Sequence, residues 1–150
     1  MSGAVFTGGC QCGAVRYELS AQPVTEFCHC RMCQRAVGGV FAALSGVKKT
    51  DFRWTKGAPS FFASSTLSRR GFCAACGTPL TFAYDEKDSI EVTTGSLDDP
   101  ERAPIASHFG VESKLSWLKL CDGLPEKRTG ESPDSMVNRP DFEPRQDQNR

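Results

Sequence analysis

The chain carries no surplus charge of either sign: Lys and Arg total 18, and so do Asp and Glu, across 150 residues. A basic stripe for nucleic acid or a polybasic patch for an anionic membrane is therefore not expected. No apolar run approaches the ~18 residues of a membrane-spanning helix. Residues 1–10 show neither the basic start nor the apolar stretch of a secretory signal. Gly9-Cys10 is accordingly not read as a lipoprotein site, and a cytoplasmic setting is the expectation. Histidine is scarce, with only His29 and His108. No internal repeat is present beyond recurring cysteine pairs. The length fits one domain. A hydrophobic fraction of 39% gives a modest core, of the kind that small domains often staple with a metal.

Cysteine is what the chain has in plenty. Seven of the eight fall into tight groups: Cys10 and Cys12, then Cys28, Cys30 and Cys33, then Cys73 and Cys76. In a reducing compartment such spacings belong to metal ligands more often than to disulfides. Cys10 and Cys12 are too close together to complete a tetrahedron by themselves, and Cys73-Ala-Ala-Cys76 has zinc-knuckle spacing. Joined, the two pairs form one closed four-thiolate zinc site that ties the first strand to a segment some sixty residues later. A redox C-x-x-C would open a helix, whereas Gly77-Thr78-Pro79 follows here.

Cys28, Cys30 and Cys33 form a second zinc site, giving two zinc ions per chain. With three protein ligands one position stays open, as in catalytic or substrate-binding zinc. The alternative is a second structural site, closed by His108, Cys121 or water. His29 lies between two ligands and is expected to point away from the metal. Cys121 reads more readily as a partly buried structural thiol. A three-thiolate zinc has a formal charge of −1, so an incoming thiolate needs a nearby cation. Arg31 and Arg35 are the candidates, against a solvated surface role for either.

The remaining sequence reads as short strands, at 14–20, 24–28, 40–44, 51–54, 60–65, 68–72, 80–84, 90–94, 105–109 and 115–120. A turn at 46–49 follows the third of these. One short helix at 31–37 is stopped by Gly38-Gly39. The fold class is mainly β. From Glu126 onward Pro133, Pro140 and Pro144 punctuate a run of charged and polar residues. The expected organisation is a zinc domain over 1–125 and a flexible tail over 126–150, in which Met136, Val137 and Phe142 are the residues able to dock.

Four stretches resemble the glutathione-dependent formaldehyde-activating enzyme family, which also takes in centromere protein V. They are Gly9-Cys10-Gln11-Cys12-Gly13-Ala14-Val15-Arg16-Tyr17, Cys28-His29-Cys30-Arg31-Met32-Cys33-Gln34-Arg35, Arg70-Gly71-Phe72-Cys73-Ala74-Ala75-Cys76-Gly77-Thr78, and the stretch 108–117 with Asp122-Gly123-Leu124-Pro125. The resemblance implies a zinc-stapled β tent of short antiparallel strands with two zinc sites divided as above. It also implies carbon–sulfur lyase activity of the S-hydroxymethylglutathione synthase type, with glutathione and a small aldehyde as partners. A non-catalytic zinc module that binds a protein through its β surface is the competing expectation. A nucleic-acid-binding zinc ribbon is the weakest of the three.

Overall fold

Alternation of side chains fixes the first layer. In β1 (Phe6–Gly9) and β2 (Arg16–Leu19), Phe6, Tyr17 and Leu19 point inward while Thr7, Arg16 and Glu18 point outward. With β5 (Phe52–Lys56) they form a three-stranded antiparallel sheet in the order β1-β2-β5. The computed structural model describes residues 5–145.

The second layer is an eight-stranded sheet. From one edge to the other it runs β11 (Glu126–Lys127), β10 (Ile105–Phe109), β3 (Val24–Cys28), β4 (Ala42–Lys48), β9 (Ser89–Thr93), β8 (Pro79–Tyr84), β7 (Ser68–Phe72) and β6 (Ser60–Ala63). Pairing is antiparallel except at β10, which lies parallel to both β3 and β11. The core lies between the sheets, where Phe6, Val15, Tyr17 and Leu19 meet Val47, Leu80 and Val92. Tyr17 is fully buried and its hydroxyl is satisfied by Ser96 Oγ at 2.7 Å. Gly8 makes room for that ring, since a Cβ there would lie 2.4 Å from Tyr17 Oη.

The opposite face of the large sheet is not apolar. The β3 residues Glu26 and Cys28, the β9 residue Glu91, the β8 residues Phe82 and Tyr84 and the β7 residue Arg70 line a cavity there. The one α-helix among the described residues, α1 (Arg31–Val37), packs beside it. It begins at Cys30, whose sulfur accepts from the Cys33 N–H, and ends at Gly38 with φ 65°, so the Gly38 stop is where the sequence put it.

Three local expectations differ from the structure. Gly46 lies inside β4, opposite Val24 and Glu91, rather than in a turn. Residues 115–120 form no strand: both edges of β10 are already taken by β3 and β11, and Trp117 stays exposed. The segment after Pro125, expected to be flexible, is laid along the body as far as Arg145. Its β11 pairs with β10, Thr66 N–H donates to Glu143 O at 2.9 Å, and Arg139 bonds Asp141 and Glu86. Met136 is buried. The polar residues of this segment are met by ion pairs and backbone hydrogen bonds on the body, which a reading of polarity alone does not foresee. No helix among the described residues is long and apolar enough to cross a membrane.

Candidate metal centres

The turn after β1 and the loop between β7 and β8 bring Cys10, Cys12, Cys73 and Cys76 together, with their sulfurs within 4.8 Å of one another. Cys10 and Cys12 Sγ are 3.6 Å apart, and Cys12 and Cys73 Sγ 3.8 Å. Four sulfurs at ~2.3 Å from one ion would be separated by about 3.8 Å, whereas a disulfide needs ~2.05 Å. The spacing therefore fits a tetrahedral metal and excludes a bond. Backbone and side-chain donors support the sulfurs. Val15 N–H reaches Cys10 Sγ at 3.3 Å. The Thr78 hydroxyl accepts from Gln11 N–H at 3.0 Å and lies 3.2 Å from Cys76 Sγ, which it holds down to a pKa of about 5. Cys10 and Cys73 belong to the buried core, so the closed group sits where the two sheets meet.

The other group is short-range. Cys28 ends β3, Cys30 caps α1, and Cys33 lies one turn into the helix. Cys28 and Cys30 Sγ are 3.4 Å apart, and no fourth His, Cys, Asp or Glu joins the three among the described residues. Without a cation these sulfurs cannot ionise together. Hydrogen bonds from Cys28 and then Cys33 draw Cys30 down to about 3, while the Cys30 and Cys33 sulfurs push Cys28 far up. A divalent ion removes that conflict, which makes the donor set a fit for a metal. Gly110, with φ 67°, clears the approach: a Cβ there would lie 2.9 Å from Cys30 N.

The histidines point elsewhere, as the position of His29 between two ligands suggests. His29 is fully buried and its Nε2 shares a hydrogen bond of 2.9 Å with His108 Nδ1. His108 Nε2 donates to Asp122 Oδ2 at 2.8 Å. With Asp122 as acceptor, His108 presents a bare Nδ1 to the Nε2–H of His29. That leaves His29 Nδ1 as a lone acceptor, and it has no partner. Burial, then His108, lowers the His29 pKa, which favours the neutral form of the His29 ring. Cys121, expected to be partly buried, is exposed.

A cavity of about 490 Å³ opens above the three sulfurs. Its floor holds Cys28, Cys30 and Cys33, and one wall comes from the segment after Pro125, including Lys127, Arg128, Met136 and Phe142. The cation on the sulfurs is Arg70, whose Nη2 donates to Cys33 Sγ at 3.5 Å. Arg31 lines the same cavity but donates to Gln34 Oε1 at 2.5 Å. Arg35 lines a neighbouring cleft of about 300 Å³. Arg70 lies 37 positions from Cys33, so only its place just before Cys73 could have signalled it. Glu91 and Asp122 were likewise not singled out. The strand alternation at 90–94 turns Glu91 away from Val92, and nothing in the sequence says what that opposite face meets.

Two sheets joined at one four-sulfur cluster, with a second, three-sulfur cluster at the foot of a cavity, define a cysteine-rich β protein with two groups that could hold a metal ion. The chain belongs to the glutathione-dependent formaldehyde-activating enzyme family, whose sequence profile matches residues 5–112. A Halomonas elongata protein named "Putative glutathione-dependent formaldehyde-activating enzyme" is 26% identical over 145 residues, covering 89% of this chain and 92% of that one. An uncharacterized lyase of Schizosaccharomyces pombe is 32% identical over 80 residues, covering 53% of this chain and 58% of that protein. A crystal structure of a Rhodobacter sphaeroides protein is 20% identical, covers 80% of this chain and 98% of its own, and superposes with a TM-score of 0.45.

Proposed function

We propose that the chain is a zinc-dependent carbon–sulfur lyase of the glutathione-dependent formaldehyde-activating type, acting in the cytoplasm. It makes or breaks the adduct between a small thiol such as glutathione and a small aldehyde. The observation that carries this reading is the cavity reaching three convergent sulfurs that no fourth protein ligand joins among the described residues. The family description and the name of the Halomonas relative supply the thiol and the aldehyde. In this reading Cys10, Cys12, Cys73 and Cys76 hold a structural zinc, and Cys28, Cys30 and Cys33 hold the second.

Zinc at the three-cysteine site would supply a Lewis-acid centre at which a thiol sulfur is held as thiolate at neutral pH. The chain's own residues supply the rest. Arg70 offsets the charge of an added thiolate, since its guanidinium donates to a sulfur of the group. The cavity rim carries both signs, with Lys127 and Arg128 beside Glu131 and Asp134. That suits a peptide bearing an ammonium and carboxylates. Holding sulfur and carbonyl carbon together is the principal gain, because thiols add to small aldehydes unaided.

Cobalt in place of zinc tests this reading, since its visible bands report the number of thiolates bound. Added glutathione should leave the Cys10/Cys12/Cys73/Cys76 signal unchanged. It should shift the Cys28/Cys30/Cys33 signal saturably toward four thiolates, and less so at low pH, where protons compete. The exposed Phe61 and Phe62 on the edge strand β6 favour a second reading, a non-catalytic protein-binding module. A spectrum indifferent to glutathione and other small thiols would put that reading first.

A further inference from the structure

Glu91 is a carboxyl that the fold has no structural use for. It lies on β9, opposite Gly46 of β4 and Phe82 of β8, in the middle of the eight-stranded sheet. Its side chain is partly buried and lines the cavity whose floor is Cys28, Cys30 and Cys33. It makes no hydrogen bond or ion pair among the described residues. The neighbouring carboxyl in the same cavity, Glu26, is differently placed, with a hydrogen bond to Ser107 and the charge of Lys127 nearby. A carboxyl in a sheet centre without a partner is costly unless something arriving in the cavity uses it.

Adduct formation needs one group that nothing described so far provides. When a thiolate sulfur adds to a carbonyl carbon, the C–S bond forms from the sulfur lone pair and the C=O π pair moves to oxygen. That oxygen must gain a proton to become the hydroxyl of the adduct. Arg70 cannot serve, because a guanidinium does not give up its proton in a protein. The three cysteines are occupied as ligands in this reading, and the histidine chain is turned away from the cavity.

We propose that Glu91 is the proton donor and acceptor of this site. Its carboxyl protonates the aldehyde oxygen as sulfur adds, and its carboxylate takes that proton back from the hydroxyl when the C–S bond breaks. In the forward direction the thiol's own proton passes to solvent as the sulfur is bound, and Glu91 regains one from water, so each turn balances. The assignment rests on the reading of the site as one for thiol–aldehyde adducts.

The surroundings of Glu91 favour the protonated form that the forward step needs. Burial is the main cause, then the charge of Glu26 from β3 and of Cys33 from α1, and together they push its pKa up to about 8. Arg70 from β7 acts the other way, and Tyr84 of β8 faces it as a neutral phenol held well above its usual range. The β4 neighbour, Gly46, brings no charge, and its missing Cβ would lie 3.5 Å from Glu91 Cγ. A proton donor works best near the operating pH.

Glu91→Gln in the zinc-loaded protein tests the assignment. Exchange between free and adduct glutathione, with formaldehyde as the aldehyde, is followed by NMR exchange spectroscopy. The protein's contribution to the exchange rate should fall about a hundredfold, while glutathione still shifts the cobalt spectrum with unchanged affinity. In the wild type the forward contribution should decline at alkaline pH as Glu91 loses its proton, and Glu91→Asp should restore part of the rate together with that decline. Stability gives a readout independent of activity. A carboxyl whose folded pKa is raised contributes stability below its unfolded value, near 4.3, and loses it as pH climbs to the folded value. The melting temperature of the wild type should therefore drop relative to Glu91→Gln between pH 5 and pH 8. Normal thiol binding with an undiminished exchange rate in Glu91→Gln would overturn this assignment alone. Failure of the wild type to bind thiol at all would overturn the proposed function and this assignment with it.

Discussion

Arg70 is held by more than solvent. Its Nε donates to Ser64 Oγ at 2.8 Å, its guanidinium lies 4.6 Å from the Phe82 ring centroid, and its Nη2 reaches Cys33 Sγ at 3.5 Å. Three contacts in one pose fix a positive charge beside a cluster that becomes more negative with each thiolate it gains. Arg70→Met keeps the stem and removes the charge. Both metals should remain, because Arg70 ligates neither. The affinity of the cobalt-substituted three-cysteine site for glutathione should fall about tenfold, ~1.4 kcal/mol. Arg31→Ala should change it far less, since that side chain is engaged with Gln34. A titration in which Arg31→Ala costs as much as Arg70→Met would show that the cation comes from the helix after all.

The segment after Pro125 is the element that the sequence describes worst, and the reason is physical. Its prolines and charges give no periodicity, and low apolar content ordinarily means a solvated chain. What holds it is distributed: β11 on β10, Lys114 to Glu126 at 2.6 Å, Thr66 Oγ1 to Asp141 O at 2.5 Å, and the burial of Met136. The Thr66 partner lies 75 positions away, and none of these contacts leaves a local pattern. By contrast the strand pairs at 60–72 and 79–93 and the strand at 105–109 were legible from alternation and turn residues. The grouping of seven cysteines into Cys10, Cys12, Cys73 and Cys76 and into Cys28, Cys30 and Cys33 was legible from spacing, since a pair one residue apart needs a second pair to complete a tetrahedron. Arg70 and Glu91 were not legible as site residues, since a site assembled from β3, α1, β7, β8 and β9 leaves no local pattern. A chain ending at Pro125 loses the Met136 contact, which for full burial is worth about 1.5–3 kcal/mol, and one wall of the cavity. Its melting temperature should drop by about 4–8 °C, with both metals retained and glutathione bound more weakly. Calorimetry with metal analysis checks this. An unchanged melting temperature would show that the segment adds nothing to the fold.

The two cysteine groups differ in what they hold together, and that difference sets the last expectation. The closed group links Cys12 to Cys73 across 61 positions, and Cys10 and Cys73 are themselves part of the core between the sheets. The three-cysteine group spans only the five positions from Cys28 to Cys33, at the end of β3 and the start of α1. Loop-closure entropy grows as (3/2)RT ln n, so a metal on the first group offsets about 2 kcal/mol more chain entropy than one on the second. Metal affinity at the closed group is thus folding free energy, whereas a metal at the open group ties together little chain. Cys73→Ser should yield a chain that is largely unfolded or aggregated. Cys33→Ser should remain folded, with the β-rich circular dichroism of the wild type and about one metal fewer. Circular dichroism paired with metal analysis reads both. Equal loss of structure in the two variants would mean that the helix and the cavity floor depend on their metal as much as the core does, and the closed and open roles would no longer stand apart.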